Sequence, residues 1–101
     1  MRNVIQLTNA AIQNFNVNIN NTLYTFNISY NARFDFWVLS LYQNSIPLFE
    51  AFKLVQGVDI GAIFNLPING VLYIESISGD LSDPTRANLG NDMRLIYDNP
   101  L

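Results

Sequence analysis

The strict alternation of apolar and polar residues between positions 14 and 30 constrains the fold of this chain more than any other feature. Apolar residues occupy odd positions before Asn20-Asn21 and even positions from 24 onward. A two-residue turn at this pair places Val17 opposite Tyr24, so that the apolar side chains share one face. Asparagine tolerates the positive φ that such a turn requires. The sequence therefore predicts an antiparallel β-hairpin with one buried face.

Further short strands are predicted from the remaining apolar runs and the turn residues between them. The run 36–42 has apolar residues on both faces and is typical of a central strand. The other predicted strands cover residues 4–7, 48–55, 71–76 and 93–97. Six or seven short strands with turn signals about every 8 to 12 residues predict a single all-β domain over residues 1–101. We expect a small antiparallel β-barrel or β-sandwich.

One short helical turn is predicted over residues 84–89. Asp83 is a favourable N-cap residue, and Pro84 suits the first helical position. Gly90 stands just past the expected end, where glycine is favoured. We therefore expect this turn in the loop before the last strand.

The composition excludes several classes of function. The net charge of −3 and the absence of a basic patch disfavour nucleic-acid binding. The chain has no cysteine or histidine, which removes disulfides, thiolate chemistry and the usual general base. No apolar run reaches the roughly 18 residues of a membrane span, and the first residues turn polar too early for a signal peptide. We expect a soluble protein without membrane insertion, synthesised in a cytoplasm.

Asparagine is more frequent in this sequence than all charged residues together. Fifteen of the 101 residues are asparagine, whereas only 13% of the residues are charged. Many asparagines alternate with apolar residues, as expected of polar strand faces, and others stand where turns are predicted.

The best candidate for acid and base catalysis is the group Asp80, Asp83 and Asp92, with Asp59 and Glu75 further away. Each aspartate has glycine, proline or asparagine close by, where turn and capping roles explain it. The spacing lacks the ligand pattern of a calcium loop. We therefore predict no enzymatic activity, no metal site and no cofactor.

Arg94 is a single cation in an otherwise apolar strand, and it either points to solvent or finds a partner. The preceding loop offers Asp80, Asp83 and Asp92. We predict a structural clasp in which Arg94 and these carboxylates pin the loop across the final strand. The alternative is a ligand-binding role for the same residues.

Most of the thirteen aromatic residues fall on the apolar side of predicted strands. Trp37 lies in the most apolar run and is predicted to be in the core. Tyr24, Tyr42 and Tyr73 are the candidates for an interface, because a tyrosine hydroxyl seeks water or a partner. An alternative function is a carbohydrate-binding module that uses these tyrosines with nearby asparagines.

The ordered series of motifs resembles the baseplate plug family of contractile-tailed bacteriophages over nearly the whole chain. The runs that carry the resemblance are YTFNISY at 24–30, FWVLSLY at 36–42, KLVQGVDI at 53–60, GVLYI at 70–74, DPT at 83–85, LG at 89–90 and RLIY at 94–97. The turn at Asn44-Ser45 departs from the family pattern, because it lacks the glycine common there.

The resemblance implies a small structural component of the virion, located in the tail baseplate and synthesised in the host cytoplasm. Such a protein plugs or braces the central hub and spike by packing, without catalysis. The implied partners are the hub, spike and tube proteins of the tail. A homo-oligomer is also consistent with this role, because tail assemblies are symmetric.

Overall fold

Seven antiparallel strands in two sheets make up the computed structural model, which describes residues 2–99. One sheet has the order β2-β3-β4-β5 and the other β1-β7-β6. The strands are β1 Arg2–Ile5, β2 Ile12–Ile19, β3 Thr22–Asn31, β4 Phe36–Gln43, β5 Ile46–Lys53, β6 Val71–Ser76 and β7 Met93–Asp98. The all-β prediction is confirmed, and the arrangement is a sandwich rather than a closed barrel.

The predicted hairpin is present as β2 and β3. Val17 lies opposite Tyr24, and the register continues unbroken from the turn to the Ile12–Ser29 pair. Asn20 and Asn21 form the turn with φ of 52° and 63°. The apolar face of the hairpin points into the sandwich, as the alternation predicts.

The core lies between the facing sides of the two sheets. Trp37 is 0% exposed, as predicted, and its indole Nε1 donates a hydrogen bond to the Thr85 carbonyl at 3.0 Å. This bond ties the core of the larger sheet to the loop before β7. Other side chains with at most 1% exposure come from both sheets: Tyr24, Phe26, Ile28, Leu39, Leu41, Leu72, Ile74, Met93 and Leu95.

The short helix lies elsewhere than predicted. Helix α1 spans Ile60–Ile63, and its N-cap is Asp59, whose carboxylate accepts a hydrogen bond from the Ala62 N–H at 3.3 Å. Within the predicted 84–89 segment, residues 86–88 form a single turn, in which the Leu89 N–H donates to the Thr85 carbonyl at 3.2 Å, and no helix is formed there. The Asp83 carboxylate does not cap this turn, because the Thr85 and Arg86 N–H groups donate to Asn88 and Asp35 instead. Asp83 accepts a hydrogen bond from the Gln56 N–H at 3.4 Å.

Residues 54–70 close one lateral side of the sandwich. Gln56 forms an isolated parallel bridge with Ile74, which connects this segment to the smaller sheet. The Phe64 ring at the end of α1 stacks on Phe49 with centroids 4.1 Å apart and meets Phe52 edge-on at 5.2 Å. The chain and these rings therefore hold the two sheets together on the β5 side.

The opposite lateral side is open between β1 and β2. Each of these strands has a neighbour on one side alone: β1 pairs with β7 and β2 pairs with β3. No pairing joins β1 to β2 within residues 2–99. No helix in this part of the chain is long and apolar enough to cross a bilayer.

Candidate interaction surfaces

Asp92 fixes the loop after β6 to the start of β7. Its carboxylate accepts hydrogen bonds from the Ser78 N–H at 2.8 Å, the Ser76 hydroxyl at 2.9 Å and the Ser78 hydroxyl at 3.0 Å. These bonds favour the charged form, so the Ser78 N–H and then the Ser76 hydroxyl lower the pKa of Asp92. The residue therefore serves as an acceptor for a turn.

Asp80 and Asp83 have separate partners of their own. The Asp80 carboxylate accepts from the N–H and the hydroxyl of Ser82 at 2.8 and 2.7 Å, which lowers its pKa. Asp83 lies 3.7 Å from the Lys53 ammonium and also accepts from the Gln56 N–H. No group of three acidic side chains suited to a metal ion occurs within residues 2–99.

Arg94 is not brought together with these carboxylates. It lies opposite Glu75 in the β6–β7 register, and Glu75 forms an ion pair with Arg2. In the described part of the chain, Arg94 forms no ion pair with Asp80, Asp83 or Asp92. Its Nε is buried and has no hydrogen-bond partner. The contact predicted for the clasp is therefore absent here, and the loop is held by other residues.

Arg86 is the arginine that ties the loop to the rest of the sandwich. Its Nε donates to the Asn9 carbonyl at 2.7 Å, and its guanidinium lies over the Tyr30 ring at 5.1 Å. Its backbone N–H donates to the Asp35 carboxylate at 3.1 Å, which also accepts from the Tyr30 hydroxyl at 2.6 Å. The last bond raises the pKa of Tyr30 and lowers that of Asp35.

No pattern in the sequence predicts the contact of Arg86 with Asp35. Arg86 and Asp35 are 51 residues apart, and neither stands in a motif that indicates a pair. The sequence offers only the general signal that a cation and an aromatic ring attract each other.

The three candidate tyrosines lie in different environments. Tyr24 is 1% exposed, so its side chain is unavailable to a partner, contrary to the interface prediction. The alternation of β3 turns it into the core. Tyr73 is half-buried on the outer side of the smaller sheet, opposite Ile96. Tyr42 is half-buried on the outer side of the larger sheet.

The outer face of the larger sheet presents two rows of uncharged, hydrogen-bonding side chains, whereas Lys53 lies on the same face at the β5 edge, opposite Val38. One row across its strands is Asn14, Asn27 and Ser40, and the next is Asn16, Thr25 and Tyr42. The Thr25 hydroxyl donates to the Asn16 side chain at 2.8 Å. A shallow depression of about 350 Å³ lies on this face, lined by Asn14, Thr25, Asn27, Tyr42 and Ser45. Three of the fifteen asparagines, Asn14, Asn16 and Asn27, thus belong to one surface.

A groove of about 640 Å³ runs between β1 and β2 on the open side of the sandwich. Its lining has no charged side chain and consists of Asn3, Val4, Ile5, Gln6, residues 15–20, Tyr97 and Asn99. Neither sheet continues across it, so it separates the edge of β1 from the edge of β2.

Amide hydrogen bonds close both ends of this groove. At one end the Asn20 side chain donates to the Ile68 carbonyl at 2.5 Å, and Asn99 donates to Asn20 at 3.2 Å. At the other end the buried Gln13 side chain accepts from the Thr8 N–H at 3.0 Å and donates to its carbonyl at 2.8 Å. The first set holds the β2–β3 turn against the segments next to β6 and β7, and the second holds the β1–β2 connection against β2.

Several large apolar side chains are exposed at strand ends and in loops. The most exposed is Leu81, at 90%, in the loop after β6. Others more than half exposed are Ile12, Leu23, Phe34, Ile46, Ile63 and Ile77. Their positions around the sandwich provide apolar contacts beside the polar sheet face.

Comparison with known protein families gives a match over almost all of the chain. The model of the family described as "Cyanophage baseplate Pam3 plug gp18" matches residues 2–100. The matched range includes both sheets, helix α1 and the groove between β1 and β2. No curated protein matches the chain.

Proposed function

We propose, since this chain belongs to the family of cyanophage baseplate plug proteins, that it plugs or braces the central hub and spike of a tail baseplate by packing. Membership in this family indicates a structural role in the phage tail baseplate, in association with other baseplate proteins. The finer proposal is that the protein acts through shape and surface contacts, without catalysis or a cofactor. Its partners are then the hub, spike and tube proteins.

The observation that carries this proposal is the family match over residues 2–100. The surface chemistry supports it. The larger sheet presents rows of uncharged amide and hydroxyl groups, and its strands also carry exposed apolar side chains at Ile12, Leu23 and Ile46. Depletion of charge together with exposed apolar groups is typical of the central part of a protein interface.

Co-expression with the hub and spike proteins of the same phage tests the proposal. We expect the chain to co-purify with at least one of them and to be detected by mass spectrometry in purified virions. The tail sheath protein, expressed in the same way, serves as the control for nonspecific capture. Absence from virions together with failure to bind any tail protein would refute the proposal.

A second candidate function is carbohydrate binding at the depression around Tyr42. A half-buried tyrosine next to Asn14, Asn27 and Thr25 combines an aromatic ring with amide and hydroxyl groups, and this combination suits a sugar. A glycan array tests it, with Tyr42→Ala as the variant. Binding that is lost in the variant would favour this function, whereas an array without hits would remove it.

A further inference from the structure

The outer edge of β2 has free backbone groups at alternate residues. The Tyr30 N–H donates to the Ala11 carbonyl at 2.8 Å, which continues the β2–β3 register by one pair. In an antiparallel pair the hydrogen-bonded residues alternate with residues whose N–H and C=O point away from the neighbour. The backbone groups of Asn14, Asn16 and Asn18 therefore point away from β3, toward the open side of the sandwich.

The β2 edge lacks the features that normally prevent strand addition. Its eight residues, Ile12–Ile19, include no charge, proline or glycine. The other edge of the same sheet, β5, contains Pro47, Glu50 and Lys53, and Ala51 interrupts it with a φ of 55°. Proline, charge and bulges are the usual protections of sheet edges. One edge of this sheet is therefore protected, and the other is not.

The groove beside this edge defines what can fill it. The part of β2 that lines it, residues 15–19, is about 17 Å long at roughly 3.3 Å per residue, which is the length of about five extended residues. Its lining alternates apolar side chains such as Phe15 and Val17 with asparagine and has no charge. A charged side chain placed there would lose its hydration without gaining a partner.

We propose that an extended, uncharged segment of a partner baseplate protein enters this groove and adds to the edge of β2 as a strand. This inference rests on the proposed function and identifies the part of the chain that meets the partner. Hydrogen bonds to the backbone of Asn16 and Asn18 provide affinity, and apolar residues at alternate positions of the segment pack beside Phe15 and Val17. Two copies of this chain paired through their β2 edges would extend the sheet but leave each groove unfilled.

The first test removes one outward N–H from the edge. Asn16→Pro deletes this donor while the hydrogen bonds between β2 and β3, made by the odd-numbered residues, remain. Asn16→Ala is the matched control, because it shortens the same side chain and keeps the N–H. We expect Asn16→Pro to weaken binding to the co-expressed hub complex by about tenfold or more, and Asn16→Ala by about threefold at most. Equal binding of wild type and Asn16→Pro would overturn the inference.

The second test uses the wild-type chain and does not depend on how a variant folds. Residue-resolved hydrogen exchange compares the chain alone with the chain bound to the hub complex. We expect the Asn16 and Asn18 amides to exchange quickly alone and about tenfold or more slowly in the complex, while Val17 is protected in both. Unchanged exchange at Asn16 and Asn18 would overturn the inference, and so would protection in a homodimer of the chain alone.

A photo-crosslinking amino acid at position 18, in the same complex, identifies the segment. We expect the captured peptide to be free of Lys, Arg, Asp and Glu over about five residues. A captured peptide with charged side chains would contradict the chemistry proposed for the groove.

If the wild-type chain binds the hub complex but these tests fail, the inference is wrong and the proposed function stands. If it binds no tail protein and is absent from purified virions, both are wrong.

Discussion

Asp92 shows how single carboxylates fix the loops of this molecule. It accepts hydrogen bonds from Ser76 and Ser78, and Asp35 similarly joins Tyr30 to the backbone of Arg86. Hydrogen bonds to a carboxylate are stronger than those between neutral groups. A sequence with few charges thus uses several of them where the chain changes direction.

The lowered pKa of Asp92 predicts a specific dependence of stability on pH. A carboxylate whose pKa is lower in the folded state contributes stability above its unfolded pKa, about 3.9, and loses it as the pH falls through the folded value. We expect Asp92→Asn to melt at a lower temperature than wild type at pH 7. The difference should shrink as the pH is lowered from about 4 toward 2. Melting curves from pH 7 to 2 test this, and a difference that stays constant would contradict it.

Replacing Arg86 by alanine should destabilise the protein. The variant loses the hydrogen bond to the Asn9 carbonyl and the cation–π contact with Tyr30. We expect a loss of about 1 kcal/mol, or roughly 4 to 8 °C in melting temperature. Arg33→Ala is the matched control, since its guanidinium lies equally far, 5.1 Å, from the exposed ring of Phe34. A melting temperature of Arg86→Ala equal to that of Arg33→Ala would show that the Arg86 contacts contribute no more than the exposed contact of Arg33 with Phe34.

At the scale of elements, two hairpin turns rely on residues in the left-handed backbone region. The turn between β2 and β3 uses Asn20 and Asn21, and the turn between β4 and β5 uses Asn44 and Ser45, with φ of 51° and 63°. Asparagine tolerates this conformation better than serine does. The second turn is therefore the less favourable of the two.

Glycine at position 45 should stabilise the protein. Ser45→Gly removes the steric cost of a positive φ and creates the Asn-Gly pair favoured in such turns. We expect a gain of about 0.5 to 1 kcal/mol in the free energy of unfolding, measured in urea. Asn21→Gly is the control and should gain less, because Asn21 already tolerates its φ of 63°. A loss of stability in Ser45→Gly would contradict this account.

The hairpin could be predicted from the sequence because its alternation and its turn are local. The register of β2 and β3 followed from the phase change at Asn20-Asn21. The helix could not be located in this way, because Gly61 weakens the local signal of α1. The position of α1 depends instead on tertiary packing, since a Cβ at Gly61 would lie 3.0 Å from the Ile68 side chain. The Arg86–Asp35 contact and the groove depend on how the two sheets face each other, and no local pattern contains that information.

At the scale of the whole molecule, charge is absent from the two surfaces most suited to contact. Neither the groove between β1 and β2 nor the Asn14 and Asn16 rows of the larger sheet includes a charged side chain. The described ion pairs use other residues: Arg2–Glu75 joins β1 to β6, and Lys53–Asp83 joins the end of β5 to the loop before β7. Assembly through these surfaces would therefore depend on hydrogen bonds and apolar packing.

Binding to the hub complex should accordingly depend little on salt. Interactions between exposed charges weaken as ionic strength rises, whereas neutral contacts do not. We expect the dissociation constant to change by less than about threefold between 50 and 500 mM NaCl. A calorimetric titration at several salt concentrations measures it. A loss of affinity of about tenfold or more would show that charged residues outside these surfaces dominate the contact.

The asymmetry between the two lateral sides of the sandwich also has a mechanical consequence. On the β5 side, residues 54–70 connect the sheets through the chain itself and through the Phe49–Phe64 stack. On the other side, β1 and β2 are not paired with each other within residues 2–99. The sandwich is therefore least stiff on that side. A force that pulls the two sheets apart would separate them there first. A strand bound in the groove would form backbone hydrogen bonds with β2. These bonds would oppose the separation of the sheets and stiffen the protein on this side.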